Sequence, residues 1–189
     1  MKTHKILVVV DCQNDFITGT LANEEAQKKV PNIVKKINEF DGDYIFLTRD
    51  THFDNYLNTP EGKKLPVAHC IKNTEGWDIE NSVAEAIEAK VKEGNTAIQI
   101  IDKPTFGSQE LVSAIIVAAC CNISEIEFVG FCTDICVLSN AIMVKNATYG
   151  YAEITVDASC CAGVTPESHQ AALLSMQMCQ INIVNNENA

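Results

Sequence analysis

The sequence has no long apolar run, no run of basic residues and no repeated or low-complexity segment. No apolar stretch reaches the roughly 18 residues that a membrane-spanning helix requires. The 14 Lys and Arg residues are dispersed, and 25 Asp and Glu residues give a net charge of −11, whereas nucleic-acid binding needs a basic surface. We therefore expect neither a membrane nor a nucleic acid as partner.

Nine cysteines are present, but their arrangement indicates neither secretion nor a structural zinc site. The first residues, MKTHKILVVVDCQNDF, lack the charged-then-apolar form of a signal peptide, and the number of cysteines is odd. The adjacent pairs Cys120–Cys121 and Cys160–Cys161 do not have zinc-ribbon spacing. We expect a cytoplasmic protein in which most cysteines are small core or surface residues.

Apolar runs alternate with helical patterns along 189 residues, a length that suits one domain covering residues 1–189 rather than two. This alternation predicts an α/β fold, a doubly wound parallel sheet of about six strands with helices on both faces. Pro31 marks either a kink in the first long helix or its true start. Strands are predicted at Ile6–Val10, Tyr44–Thr48, Ala97–Ile101, Ile126–Val129, Tyr151–Val156 and Ile181–Val184. Helices are predicted at Asn23–Phe40, Asn81–Glu93, Gln109–Cys121 (with Ala119 inward), a segment carrying Cys136 and ending near Asn146, and Pro166–Cys179.

Three reactive side chains follow three of these strands. Asp11 comes directly after the first strand, Lys103 just past the third, and Cys136 in the first turn of the helix after the fourth. If the strands are parallel, their carboxyl ends share one edge of the sheet, where open α/β sheets bind ligands. A helix N-terminus, capped here by Thr133 or Asp134, favours a thiolate and offers backbone amides to an oxyanion.

The alternative is that Cys132 and Cys136 are buried small residues, Asp11 a solvated carboxylate and Lys103 a surface lysine. The motifs around these residues favour a chemical role. They read DxQNDF from Asp11, K-P-x-F-G from Lys103, and G-x-x-T-D-x-C ending at Cys136. In this order they resemble the isochorismatase-like cysteine hydrolases, from Ile6 to about Ile183.

The resemblance implies a role for each motif residue. Asp11 is the general base, Lys103 favours the thiolate and orients its neighbours, and Cys136 is the nucleophile. The backbone amides of Cys132 and Cys136 form the oxyanion hole, and the peptide bond before Cys132 is cis. Phe16 and Phe131 are assigned to substrate binding.

Aromatic residues near strand ends also occur as ordinary core residues. Phe106 and Trp77 have the same ambiguity as Phe16, and Trp77 is the more typical packing residue of a long loop. His169, inside a helix, is interpreted as structural.

The segment from Arg49 to Ile79 has no periodicity and is far longer than an ordinary connection of about 4 to 6 residues. Asp50 and His52 are two positions apart in an extended stretch, so both side chains can reach one ion. The segment resembles the metal-binding segment of nicotinamidases, which adds Glu61 and His69 as ligands.

Asp54 or water is the alternative to Glu61 as a ligand. Nitrogen and oxygen ligands without sulfur favour Zn²⁺ as the divalent metal, with Mn²⁺ or Fe²⁺ as alternatives.

The resemblance implies an amidohydrolase of the nicotinamidase type, which converts nicotinamide and water to nicotinate and ammonia through a cysteine thioester. In that scheme the metal binds the pyridine nitrogen and places the carboxamide over Cys136. The alternatives are another amidase of the family, acting on a carbamoyl or ureido substrate, and an isochorismatase-type hydrolase. A non-enzymatic binding protein is disfavoured because Asp11, Lys103 and Cys136 are all present. The expected partner is a small-molecule amide, and a homo-oligomer remains an option.

Overall fold

The computed structural model describes residues 3–118 and 122–186, and its centre is one six-stranded sheet. The strands pair in the order β3-β2-β1-β4-β5-β6, and every pairing is parallel. This confirms the predicted doubly wound α/β fold. The strands are β1 (His4–Val10), β2 (Tyr44–Asp50), β3 (Ala97–Lys103), β4 (Ile123–Phe131), β5 (Glu153–Ala162) and β6 (Asn182–Val184).

Helices connect the strands and cover both faces of the sheet. The α-helices are α1 (Asn14–Ile17), α2 (Glu24–Glu39), α3 (Pro60–Lys64), α4 (Asn81–Glu93), α5 (Gln109–Ala118), α6 (Leu138–Ala147) and α7 (Pro166–Met178). A 3₁₀ turn occupies Tyr56–Asn58, and a π-helical turn, Thr133–Val137, precedes α6. Within the described ranges, no helix combines the length and the apolarity that crossing a membrane requires.

The two faces of β1 pack into two separate hydrophobic clusters. Ile6, Val8 and Val10 join residues of α5, α6 and α7, whereas Leu7 and Val9 join residues of α2 and α4. All five side chains are buried, which explains why β1 is a continuous apolar run rather than an alternating one. Full burial of one such side chain contributes about 1.5–3 kcal/mol, so the strand is firmly held up to Asp11.

Several boundaries differ from the predictions. The second strand continues beyond Thr48 to Asp50, and the third continues beyond Ile101 to Lys103, because these two polar end residues pair with each other across β2 and β3. The fifth strand continues from Val156 to Ala162 through small residues with little β propensity.

The first long helix begins at Glu24, so Pro31 lies inside the helix and is not its start. Asn23 caps this helix by accepting hydrogen bonds from the amides of Glu25 and Ala26. The predicted positions of Ala119, Cys120 and Cys121 lie outside the described residues.

Candidate active site

The strand order places a crevice at the carboxyl ends of β1 and β4. From β1 the chain proceeds outward to β2 and β3 on one side, and β4, β5 and β6 follow on the other side. In open α/β sheets the point where the order reverses is where ligands bind. Asp11 follows β1 and the turn of Cys136 follows β4, so the chain brings both to this point. The side chain of Lys103 enters from the end of β3.

Gly130 allows β4 to lie close to β1 at this point. Its φ is +117°, and a Cβ there would be 2.0 Å from the carbonyl oxygen of Val10. Only glycine avoids that overlap. The close approach therefore fixes the distance between the end of β1 and the turn that carries Cys136.

Asp11 is fully buried and adopts a φ of 47°, which is uncommon for a residue other than glycine. Its Oδ1 accepts a hydrogen bond of 2.6 Å from the Thr48 hydroxyl, and its Oδ2 lies 2.6 Å from Lys103 Nζ. Burial raises the pKa of Asp11 above its ordinary value, although Lys103 acts in the opposite direction. The carboxylate is therefore a better proton acceptor than an exposed aspartate.

Lys103 connects the acidic groups to the thiol. Besides Asp11, its Nζ lies 3.3 Å from Cys136 Sγ and 3.6 Å from Asp50 Oδ1. Burial acts to lower the pKa of Lys103, but Asp11, Cys136 and Asp50 raise it well above its usual range. The side chain thus remains an ammonium ion inside the protein, where it can stabilise a negative charge on either neighbour.

Cys136 lies in the π-helical turn Thr133–Val137, not in the first turn of the α-helix. The carbonyl oxygen of Cys132 accepts hydrogen bonds from the amides of Ile135 and Val137, both 3.1 Å, and so closes this wide turn. The bond Phe131–Cys132 is cis, as the resemblance implies. π-Helical turns of this kind are frequent at functional sites.

The predicted helix caps, Thr133 and Asp134, are wrong, since the position before the turn is Cys132 and no side chain caps it. The Thr133 side chain instead reaches α7, and the Asp134 side chain reaches the connection from β5 to α7. Thr133 Oγ1 is hydrogen-bonded to His169 Nδ1 at 2.8 Å, and both carboxylate oxygens of Asp134 accept from the Val164 amide at 3.2 Å. These bonds hold the turn of Cys136 from outside, which also agrees with a structural role for His169.

The surroundings of Cys136 outweigh the thiolate-favouring effects predicted for the helix N-terminus and for Lys103. Burial and the nearby Asp11 carboxylate raise the pKa of Cys136 well above its ordinary value of 9.0, although Lys103 opposes this shift. The sulfur is therefore protonated at neutral pH, and a base must remove its proton before it can react.

The end of β2 and the long segment after it bring four predicted ligands into one cluster. Asp50 Oδ2 lies 3.0 Å from His52 Nε2 and 3.5 Å from His69 Nε2. Glu61 Oε1, carried by α3, lies 3.7 Å from His52 Nε2 and 4.0 Å from His69 Nε2. Asp54 instead lines another surface depression. The geometry thus favours Glu61 over Asp54 as the fourth member.

The residues of this cluster fit a divalent metal. Asp50, His52 and His69 each offer a donor atom, and these atoms lie within 4.8 Å of one another. His52 Nε2 is buried and, although Asp50 Oδ2 lies 3.0 Å away, it makes no hydrogen bond of good geometry within the described part of the chain. His69 Nδ1 lies 2.8 Å from the carbonyl oxygen of Val67, which directs its Nε2 into the cluster. Two imidazole nitrogens with a carboxylate oxygen are a typical zinc donor set.

Hydrogen bonds from outside the segment fix its ligands. The Gln13 side chain donates to the carbonyl oxygens of Asp50 and Trp77, both at 2.9 Å, and accepts from the Asp50 amide at 2.7 Å. Asp15 accepts from the Cys70 amide at 2.7 Å, next to His69. Backbone pairing from the His52 amide to the Cys70 carbonyl, 2.9 Å, brings the two histidines together. Hydrogen bonds therefore hold the predicted ligands in place, although the segment after β2 has little regular secondary structure.

A cavity of about 1030 Å³ opens between Cys136 and the cluster of predicted metal ligands, Asp50, His52, Glu61 and His69. Phe16, assigned above to substrate binding, lines this cavity, and its ring lies edge-on to that of His69 at 5.8 Å. Phe131 is fully buried in the cluster shared with α2 and α4, so its ring is removed from ligand contact. Phe106 is 45% exposed and lines the cavity. The other lining residues are Gly19, Thr20, Leu21, Ala22, Asn23, Glu24, Asp50, Pro60, Glu61, Lys64, Leu65, His69, Thr105, Cys132, Ile135, Cys136 and Val164.

Comparison with known proteins agrees with this geometry. Residues 5–187 match the model of the isochorismatase domain. The chain belongs to the isochorismatase family. Among its relatives, the nicotinamidase of Schizosaccharomyces pombe is 23% identical over an alignment of 215 positions, gaps included, that covers 97% of this chain and 94% of that protein.

Two solved structures of the family show the same fold. The nicotinamidase/pyrazinamidase PncA from Bacillus subtilis matches with a TM-score of 0.80 and 25% identity, covering 96% of this chain and 99% of that one. The pyrazinamidase of Pyrococcus horikoshii in complex with zinc matches with a TM-score of 0.75 and 24% identity, covering 97% and 99%. The sheet described here is thus the sheet of this family.

Proposed function

We propose that this member of the isochorismatase family is a nicotinamidase-like cysteine hydrolase, which converts nicotinamide and water to nicotinate and ammonia. The observation that carries the proposal is the position of Lys103, whose Nζ lies 2.6 Å from Asp11 and 3.3 Å from Cys136 beside a cluster of Asp50, His52 and His69. The named activities of the yeast and Bacillus relatives support it.

The reaction begins with a proton transfer from Cys136 to Asp11. At neutral pH the thiol is protonated, and the raised pKa of Asp11 makes its carboxylate a suitable acceptor. As the proton leaves, Lys103 Nζ, 3.3 Å from the sulfur, stabilises the thiolate. Asp11, Lys103 and Cys136 therefore act as one unit and not as three independent groups.

The thiolate then attacks the carboxamide carbon. Negative charge develops on the carbonyl oxygen, and the amides of Cys132 and Cys136 are the donors proposed to hold it. Collapse of this intermediate breaks the carbon–nitrogen bond, and Asp11 returns its proton to the leaving nitrogen, which departs as ammonia. Water, deprotonated by Asp11, then hydrolyses the thioester to nicotinate and regenerates the thiol.

Asp50, His52, His69 and Glu61 would hold a divalent ion, for which their nitrogen and oxygen donors favour Zn²⁺, with Mn²⁺ or Fe²⁺ as alternatives and water as an additional ligand. When bound, such an ion supplies a Lewis acid for a ring nitrogen of the substrate. The Pyrococcus relative was solved in complex with zinc, which supports a divalent metal as the cofactor of this chain. Phe16 lies beside His69 and so offers an aromatic surface next to the ligands.

The test is ammonia release from three amides of similar shape, measured on metal-loaded and chelator-treated protein. Nicotinamide and pyrazinamide are expected to be hydrolysed, and benzamide, which lacks the ring nitrogen, to be a poor substrate. The preference should disappear after chelation because the ring then has no anchor. Equal turnover of benzamide and nicotinamide by the loaded protein would contradict the proposal and favour an amidase for carbamoyl or ureido substrates.

The proposal also covers the domain organisation, the location and the partners of the protein. All six described strands form one sheet, which supports a single domain over residues 1–189. We expect no nucleic acid as a partner because the net charge is −11, and we place the protein in the cytoplasm without a membrane partner.

A further inference from the structure

Asn140 is a buried polar residue that the proposed mechanism does not use. It lies in α6, four residues after the nucleophile, and none of its surface is exposed. Its Nδ2 donates to the carbonyl oxygens of Cys136, at 2.8 Å, and Phe106, at 3.0 Å, and its Oδ1 accepts from the Ser108 amide at 2.9 Å. One side chain thus joins the nucleophile's turn to the segment that follows Lys103.

That segment, residues 104–108, forms one wall of the cavity. Thr105 and Phe106 both line the cavity, and the Thr105 hydroxyl donates to the Gly107 carbonyl at 2.8 Å. A Cβ at Gly107 would lie 2.4 Å from Met143 Sδ, so this wall packs directly against α6. Asn140 binds the backbone on both sides of Gly107.

The hydrogen bonds of the Asn140 side chain, rather than its helix propensity, explain why an asparagine occupies this position. Asparagine is a poor residue for a helix interior, and a buried amide is costly unless all its groups are paired. Its neighbours on the buried stripe of this helix are Val137, Ala141 and Val144. An alanine or leucine would serve packing equally well, whereas only a side chain with both a donor and an acceptor can hold the carbonyl of Phe106 and the amide of Ser108 together.

We propose that Asn140 is a positioning residue that fixes the ring of Phe106 relative to Cys136 and thereby sets the affinity of the cavity for its substrate. The statement about affinity rests on the proposed function, whereas the statement about the position of Phe106 does not. Asn140 touches no reacting atom. Its effect reaches the substrate through the exposed ring of Phe106.

The sharpest variant is Asn140→Ser. In the same helix the Ser139 hydroxyl donates to the carbonyl of Ile135, four residues earlier, at 2.6 Å. A serine at 140 can make the equivalent bond to Cys136 but is too short to reach residues 106 and 108. Asn146→Ala is the matched control, because Asn146 donates to the carbonyl of Ile142, at 2.9 Å, from the exposed part of α6.

The kinetic measurement separates KM from kcat for nicotinamide. Asn140→Ser should raise KM by about tenfold and change kcat by less than about threefold, since it weakens binding and leaves the reacting groups in place. Asn146→Ala should change neither. In a Phe106→Ala background, Asn140→Ser should raise KM by less than about twofold, because the ring through which it acts is gone. A KM unchanged by Asn140→Ser, or fully additive effects, would overturn the inference.

A second measurement needs no substrate. Phe106→Trp places a fluorescent ring in the wall, and the protein's single tryptophan, Trp77, is buried and adds a constant background. Adding Asn140→Ser should increase acrylamide quenching of the introduced ring by about twofold and lower its anisotropy, and adding Asn146→Ala should not. If nicotinamide is not hydrolysed, the proposed function fails and this measurement alone decides the inference. Unchanged quenching would overturn it.

Discussion

The two halves of the site are built in different ways. Asp11 and Lys103 lie at the ends of hydrogen-bonded strands, so the sheet itself determines where their backbones meet. The predicted metal ligands His52, Glu61 and His69 lie on the long segment after β2. Individual side-chain hydrogen bonds, such as those of Gln13 and Asp15, hold this segment in place. Geometry set by a sheet depends on many cooperative bonds, whereas geometry set by a loop depends on a few.

Asp50 belongs to both halves. It is the last residue of β2, and its Oδ1 lies 3.6 Å from Lys103 while its Oδ2 lies 3.0 Å from His52. Burial acts to raise the pKa of Asp50, but the two histidines and Lys103 lower it below its ordinary value. The carboxylate therefore stays ionised between the ammonium and the imidazoles, and it fixes the distance between the two halves.

The largest effect is expected at the nucleophile of the strand-end half. Cys136→Ala should reduce ammonia release by roughly 10⁴-fold or more, because the covalent step is lost. The thermal unfolding midpoint should change little, since an alanine nearly fills the volume of the thiol. Cys132→Ala should lose far less activity, because the proposal uses its backbone amide and not its sulfur. Comparable losses in the two variants would contradict the assignment of the nucleophile.

The second expected effect tests whether the sheet-held groups act together. Asp11→Asn and Lys103→Ala should each lower kcat by about 10²–10⁴-fold, and the double variant should be little worse than the poorer single one. Lys103→Ala should also destabilise the fold by about 3–5 kcal/mol in chemical denaturation, because it leaves the buried Asp11 carboxylate without its main partner. A double variant whose loss equals the product of the two single losses would show that the groups act independently.

The strand-end half could be predicted from sequence much better than the loop half. Asp11, Lys103 and Cys136 follow clear apolar runs, and the parallel sheet brings their positions to one edge whatever the details of the turns. The thiol's high pKa could not be foreseen, because the spacing of motifs does not report burial. The assignment of Phe131 to substrate binding failed for the same reason, since the last residue of a strand can face either the cavity or the core.

In the loop half, the sequence indicated Asp50, His52, Glu61 and His69 but not what holds them. The short helix α3 escaped notice because a five-residue helix gives no periodic signal. The sequence contains one signal for Asn140, because it is a polar residue on the otherwise apolar stripe formed by Val137, Ala141 and Val144. Its partners, 32 and 34 residues away, could not be deduced from that stripe.

A third prediction concerns a variant that weakens the loop half without changing any of the predicted metal ligands. Gln13→Ala removes three buried hydrogen bonds to the backbone of Asp50 and Trp77 and should weaken metal binding by about 10–100-fold in competition with a chelator. Asn14→Ala is the matched control, because Asn14 donates to the carbonyl of Glu75 in the same segment, at 2.8 Å, from an exposed position. If both variants retain full metal affinity, the segment is held by its own packing, and the contrast between the two halves is wrong.

The smallest expected effect comes from a carboxylate that the sheet positions without using it for chemistry. Asp157 in β5 lies 2.8 Å from Lys36 Nζ and accepts hydrogen bonds from Ser159. Burial acts to raise the pKa of Asp157, but the bonds from Lys36 and Ser159 lower it below its ordinary value of 3.8. Its contribution to stability is thus present above pH 3.8 and is lost as the pH falls through the lower folded-state pKa.

Asp157→Asn should therefore cost about 1–2 kcal/mol in urea unfolding at pH 6 and progressively less as the pH falls below 3.8. Asp11 has the opposite shift, since its pKa is raised in the folded protein, and ionising it costs stability as the pH rises above 3.8. Asp11→Asn should accordingly remove a pH dependence of opposite sign. Both carboxylates have partners, but at Asp157 the partners outweigh the effect of burial on the pKa, whereas at Asp11 burial outweighs the partners. Equal pH profiles for the two variants would refute that distinction.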